Sequence, residues 1–404
     1  MKSLINLLLL ILYITTTTTT IVASSKPFVE KTNGDDLKTF EQIVMGYGYP
    51  CESHYVTTQD GYILQLFRIP YGQSGDTHTT RQPVLLQHGL LDSSFTWIVN
   101  LPGQSLAYIL ADQGYDVWMG NNRGNTYSTN HTTLSPESAQ FWDFSFDEMG
   151  RYDLPATMEY VVQSTGYKTL PYIGHSEGTI QAWISYLSNS SVVDWAPLFI
   201  GLGPVGNVSN IQNNGLKYMA IHNIDTDLAK MGMLRFLPSP TLLRSLFVDF
   251  CLGCDECCAG VIEALCGPHR GAFNDSRMSV VAGHEPGGTS LKNMQHWAQG
   301  VREKQFQAFD YGSSSANILH YNDPAPPVYD VRNFPSSVKV ALFSGGMDEL
   351  ADPIDVSDLV KQLPSSSLLV WKIIPNYAHL DYVWAIDANT VIYQDVVQLI
   401  QKYF

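Results

Sequence analysis

Gly174-His175-Ser176-Glu177-Gly178 sets a serine between two glycines at a spacing that suits a nucleophile. The residues before it, TLPYIGHS, form a short apolar run of strand length, and those after it, GTIQAWISYL, carry a helical pattern. The flanking glycines let strand and helix backbones close into a sharp turn. A serine at its apex then presents its hydroxyl at a helix N-terminus. Elsewhere the same five residues would be an ordinary tight turn; between strand and helix they read as a nucleophile. A serine hydroxyl needs a base, and imidazole is the usual one. Of eleven histidines, His379 suits the part, because it lies beyond the serine and a few residues past the apolar run LLVWKIIP. His222, His269, His284, His296 and His320 fall in a segment without strand rhythm and read as surface or packing residues. His175 adjoins Ser176, but neighbours on a tight turn point apart. The acid that fixes the imidazole tautomer is expected after the preceding strand, where VALFSGG leads to Asp348. Asp352 and Asp355 are rivals, and Asp352, just before Pro353, is equally suited to cap a helix. An oxyanion hole needs two backbone N–H groups. Glu177 supplies one, and the loop His88-Gly89-Leu90-Leu91 supplies the other from Leu90.

These residues need a scaffold that brings strand ends together. ESHYVTTQDGYILQLFRIP alternates on both sides of Asp60-Gly61, which predicts a hairpin. PVLLQ, YDVWMG, TLPYIGHS and LFIGLGPV are buried-strand runs. A helix is predicted over Gln104 to Gln113, stopped by Gly114. Strand and helix in alternation mean an α/β fold with a mostly parallel sheet and crossover helices. The alternation lapses after Pro204. It resumes with VKVALFSGG, a helix around IDVSDLVKQL, strand LLVWKIIP and an amphipathic helix from Thr390 to Tyr403. The simplest organisation is one core, residues 24–206 and 333–404, interrupted by an inserted, largely helical cap at 207–332.

The chain has 404 residues, 45% apolar and 15% charged, which favours a packed globular protein over a disordered one. Its formal net charge of −15 leaves no basic stripe for nucleic acid. Lys2, the apolar run from Leu4 to Ile14 and the small Ala23 read as a signal peptide over residues 1–23. No later stretch reaches membrane-spanning length. The chain is therefore expected outside the cell or in the lumen of an acidic lytic compartment. Cys251, Cys254, Cys257, Cys258 and Cys266 crowd together, with Cys51 far upstream. Their spacing admits zinc ligands, whereas a secretory setting favours disulfides, with fifteen pairings open. Asn130, Asn189, Asn207 and Asn274 head N-glycosylation sequons.

In order along the chain, GYPCESHYVTTQDGYIL, LLQHGLLDSS, GNNRGNTYS, YDLPATMEYV, GHSEGT, GTSLKNMQHWAQ, FQAFDYGS, GGMDELADP and AHLDYVWA resemble the acid lipases, the family of gastric and lysosomal lipases and plant triacylglycerol lipases. The resemblance spans nearly the whole mature chain. It implies an α/β-hydrolase fold with a cap, hydrolysis of acyl esters of glycerol or sterols, the catalytic positions argued above, and no cofactor; action at a lipid–water interface is the reading that the apolar cap residues suggest. A steryl-ester hydrolase or broad carboxylesterase would use the same triad; a silent hydrolase-fold binding protein would not need it. Two departures stand out. The family often has Gln where Glu177 stands, and the cap cysteines exceed the single cap disulfide of animal members. An apolar surplus in the cap, Leu234, Phe236, Leu237, Leu242, Leu243, Leu246, Phe247 and Phe250, suits either a lid that docks on lipid or plain packing of the cap against the core.

Overall fold

A computed structural model of the chain describes residues 34–76, 80–237, 248, 267 and 271–404. The leader, the five clustered cysteines and the cap residues from Leu242 to Phe247, with Phe250, lie outside these. Eleven strands are described: β1 (Glu52–Thr57), β2 (Tyr62–Ile69), β3 (Pro83–Gln87), β4 (Asp116–Met119), β5 (Asn130–His131), β6 (Pro171–His175), β7 (Leu198–Leu202), β8 (Arg235–Phe236), β9 (Thr289–Ser290), β10 (Lys339–Gly345) and β11 (Leu368–Ile374). Nine form one sheet in the order β1-β2-β4-β3-β6-β7-β10-β11, with β5 attached to β2. From β4 to β11 every pairing is parallel. The Asp60-Gly61 turn joins β1 to β2 in an antiparallel hairpin, with Val56 opposite Leu64. This hairpin also meets the parallel strands antiparallel, Arg68 opposite Trp118.

The parallel strands are continuous apolar runs because crossover helices cover both faces. β3, β4, β6 and β7 are buried along their whole length. One apolar cluster packs Val84, Leu86, Ile173 and Ile200 under Leu106 and Leu110 of the helix Leu106–Asp112. On the opposite face Leu85, Tyr172, Phe199 and Leu342 pack with Trp183 and with the helix Leu154–Thr165. Fully burying one such side chain contributes about 1.5–3 kcal/mol, so the two clusters dominate the stability of the sheet.

The residues between Pro204 and β10 contribute the helices Asn214–Ile221, Ile224–Lys230, Met278–His284, Leu291–Glu303 and Ser314–Tyr321, and the short β8–β9 pair. They are not all peripheral. Met278, Val280 and Val281 share the apolar cluster of Phe40, Tyr108 and Ala107, and Phe273 bridges Ala385. The segment between β7 and β10 is thus fastened to the apolar cluster on that face of the sheet.

Candidate active site

The strand ends converge at one edge of the sheet. β6 runs directly into the helix Glu177–Ser188, and Ser176 between them takes φ +52° and ψ −118°. A side chain rarely accepts that conformation, so the surroundings must hold it. The Ser176 N–H donates to the Leu202 carbonyl at 3.0 Å, and the Ser176 carbonyl accepts from Thr179 N–H at 2.8 Å. Gly178 is needed for close approach, since a Cβ there would stand 2.6 Å from the Gln87 carbonyl oxygen. Gly89 meets Ser176 itself: a Cβ on it would lie 2.9 Å from Ser176 Cβ.

Ser176 Oγ is 2.7 Å from His379 Nε2, and His379 Nδ1 is 2.9 and 3.0 Å from the two oxygens of Asp348. All three side chains are buried. His379 stands in the loop after β11 and Asp348 in the loop after β10, so the expected trio comes together across 203 residues of sequence. Burial would push the Asp348 carboxyl up. The neighbouring His379, which also hydrogen-bonds it, and the N–H groups of Leu350 and Ala351 outweigh that and hold it below the usual carboxylate range. A carboxylate so held keeps a proton on the Nδ1 of His379 and leaves Nε2 free to accept from the serine.

The rivals are elsewhere. Asp352 caps the helix Pro353–Gln362, accepting from Ile354 N–H at 2.8 Å, and Asp355 is bonded to Asn210. His284 contacts the Asp35 carbonyl, His296 the Gln307 carbonyl, and His320 stacks on Tyr311, whereas His222 is exposed against Tyr218. His269 is outside the described residues. Glu177 is the first residue of its helix, where N–H groups have no intrahelical acceptor. Leu90 lies in the loop after β3, next to Leu91 at φ +60°, whose carbonyl accepts from Gly287 N–H at 2.7 Å. The sequon at Asn130 is exposed, while Asn189, Asn207 and Asn274 are half-buried.

Five contributors are not visible in the sequence. Tyr382 donates its hydroxyl to Asp348 Oδ2 at 3.1 Å, three residues beyond the base. His175 is not a bystander, because its Nε2 donates to the His379 carbonyl at 2.9 Å and so fastens the base loop to the elbow. Burial beside the other histidines pushes it down to about 3, and it stays neutral. Burial likewise lowers His88 to about 4; its Nδ1 donates to the Gly89 carbonyl, and its Nε2 accepts from Asn122 N–H. Asn293 and Trp297, from the helix Leu291–Glu303, both donate to Glu177 Oε2, at 2.8 and 2.7 Å. The nearby cleft of about 320 Å³ between Asn207, Lys304, Tyr329 and Asp355 holds none of the trio. Among the described residues no cluster of His, Cys, Asp and Glu is placed to hold a metal.

The arrangement is competent for acyl transfer: an oxygen nucleophile, a base oriented by a carboxylate, and a helix N-terminus beside it. The comparisons agree with that chemistry. Residues 40–101 match the partial α/β-hydrolase lipase region, and residues 82–194 match the α/β-hydrolase fold. The chain is 43% identical to a gastric triacylglycerol lipase of Rattus norvegicus, over 92% of this chain and 93% of that one. It is 41% identical to the human lysosomal acid lipase/cholesteryl ester hydrolase, over 90% of each chain. Among solved structures, a monoglyceride lipase variant from Saccharomyces cerevisiae shares the fold, with a TM-score of 0.53 and 18% identity over 87% of this chain and 95% of that one.

Proposed function

The chain belongs to the gastric and lysosomal acid lipase family of the α/β-hydrolases and is a carboxylic ester hydrolase, and from that premise we propose that it cleaves triacylglycerols through an acyl-enzyme on Ser176. Ser176 Oγ attacks the ester carbonyl while His379 Nε2 takes its proton. The N–H groups of Glu177 and Leu90 receive the developing oxyanion. His379 returns the proton to the departing glycerol oxygen, and water then repeats the sequence to release the fatty acid. Losing one oxyanion donor from such a site costs about 2.7–4 kcal/mol of transition-state stabilisation. The observation that carries the reading is the chain of contacts from Ser176 through His379 to Asp348, at 2.7 and 2.9 Å.

The finer reading places the reaction at a lipid–water interface, in a secreted or lytic-lumen protein whose residues 1–23 are removed and whose sequon asparagines carry glycans. Its support is the segment from Ile221 to Leu237, where Ile221, Met231, Met233 and Leu237 stand exposed in the cap rather than packed on the sheet. No helix among the described residues is long and apolar enough to cross a membrane. A substrate panel tests the assignment. Triglyceride emulsion is expected to be hydrolysed fastest, with a sharp rise above its solubility limit. Preference for a cholesteryl ester would move the protein to steryl-ester hydrolysis. A chain whose Ser176 resists a fluorophosphonate probe is no serine hydrolase.

A further inference from the structure

We propose that the Glu177 side chain is a positioning residue with a proton switch: protonated, it leaves the oxyanion hole at full strength, and ionised, it opposes the negative charge of the transition state. The inference rests on Ser176 as nucleophile and on the Glu177 N–H as an oxyanion donor. It concerns the side chain of the same residue, which that mechanism does not use.

The geometry isolates this carboxyl among neutral groups. Glu177 is 1% exposed. Its Oε2 accepts from the Trp297 indole N–H and the Asn293 amide, and neither partner can reverse roles. An indole only donates. The Asn293 amide is fixed because its Oδ1 already accepts from Phe146 N–H at 2.8 Å. With Oε2 occupied by two donors, a proton on this carboxyl resides on Oε1.

Ionisable groups lie on the elements packed around it, including Arg151 and Asp153 of the segment Met149–Asp153, where Arg151 donates to the Tyr329 hydroxyl and Asp153 accepts from Arg123. The elbow and its loops bring His175, His88, His379 and Asp348. The turn Phe146–Glu148 brings Asp147 and Glu148, and the helix Leu291–Glu303 brings Lys292 and His296. Among them His88, His175 and His296 are held neutral by burial. Lys292 is engaged by Asp143 at 2.9 Å, and Asp147 by the Tyr329 hydroxyl and Phe309 N–H. None of these is hydrogen-bonded to Glu177, and the two groups that are, Asn293 and Trp297, are neutral. Burial therefore pushes the carboxyl up to about 7 despite its two N–H donors. Below that pH the residue is neutral and equivalent to a glutamine; above it, an anion sits on the residue whose N–H faces the oxyanion.

Glu177→Gln is the test, because the amide oxygen still accepts from Trp297 and Asn293 while the group never ionises. Each protein is first titrated with a fluorophosphonate at about pH 5 to count live sites. Values of kcat and KM for a soluble short-chain ester are then followed across pH. Wild-type kcat is expected to fall roughly tenfold between about pH 6 and pH 8, as a like charge imposes a few ångströms from the oxyanion, and E177Q is expected to stay level there. Parallel profiles for the two proteins overturn the switch. Failure of both to label refutes the nucleophile assignment instead. Should E177Q not fold, Trp297→Phe serves: losing one donor to the anion must move the alkaline decline to higher pH, and an unmoved decline rejects the proposal.

Discussion

Two carboxyls flank the nucleophile, and they are treated oppositely. Asp348, in the loop after β10, and Glu177, at the head of the elbow helix, are both at most 2% exposed. Burial alone would drive both toward the neutral form. Asp348 is nevertheless held low, while Glu177 rises to about 7. The difference lies in the partners. Asp348 receives His379 Nδ1–H, two backbone N–H groups and the Tyr382 hydroxyl, and its imidazole partner can become a cation. Glu177 receives two neutral donors from the helix Leu291–Glu303. Donor number and the availability of a counter-charge, not depth, decide which carboxyl is an anion. On the proposed mechanism the loop would stabilise imidazolium, while the elbow would avoid a second negative charge at acidic pH.

The largest expected effect tests whether the loop and the elbow act as one unit. Ser176→Ala should lower kcat by roughly 10⁶, His379→Ala by a similar factor, and the double variant scarcely further. Multiplicative losses in a soluble-ester assay would break the unit apart. Next in size is Asp348→Asn, for which kcat should drop by about 10⁴, because the amide favours the wrong imidazole tautomer and cannot stabilise the cation. Asp352→Ala, four residues on, should instead cost about 1 kcal/mol of stability through the lost helix cap and leave kcat near wild type. If a melting experiment and kinetics return the reverse pattern, Asp352 is the acid and the comparison of carboxyls has the wrong partner.

Much of this is legible because the trio follows strands that stand out in the sequence, although β11 is an edge strand and only partly buried. β6, β10 and β11 announce themselves as largely apolar runs, with Ser176 directly after the first and Asp348 and His379 in the short loops after the other two. The Asp60-Gly61 hairpin was equally local. That β2 pairs with β4 rather than β3 was not, since sheet order is settled by long-range packing. The helix Leu154–Thr165 does leave a signal, Pro155 in the first turn, the stripe Leu154, Met158 and Val161, and Gly166 as the stop. In the sequence His175 reads as a bystander, because elbow neighbours diverge. They do diverge, and the divergence is what carries its ring to the His379 carbonyl. Asn293 and Trp297 were beyond reach, because they lie 116 and 120 residues from Glu177 inside a segment with no readable register.

The smallest effect sharpens the comparison most, because it removes one donor from each carboxyl in turn. Tyr382→Phe deletes the hydroxyl bonded to Asp348 Oδ2. A hydrogen bond to a charged group contributes about 1.5–3 kcal/mol, so stability should fall by no more than that. The sign in the kinetics follows from the proton. Asp348 is held low by its donors, and activity that needs the carboxylate is lost as pH falls through its folded value. Losing a donor raises that value and concentrates charge opposite the imidazole, so the Asp348–His379 pair takes up its proton more readily. The acid limb of kcat/KM in Y382F should therefore move toward neutrality. Trp297→Phe deletes a donor from Glu177, whose anion is harmful rather than useful, so the same kind of loss should extend activity on the alkaline side. Each substitution makes a carboxyl easier to protonate, yet one narrows the active pH range and the other widens it. Movement of the same limb in both variants would mean that the two carboxyls titrate as a coupled pair, and their separate roles would have to be abandoned.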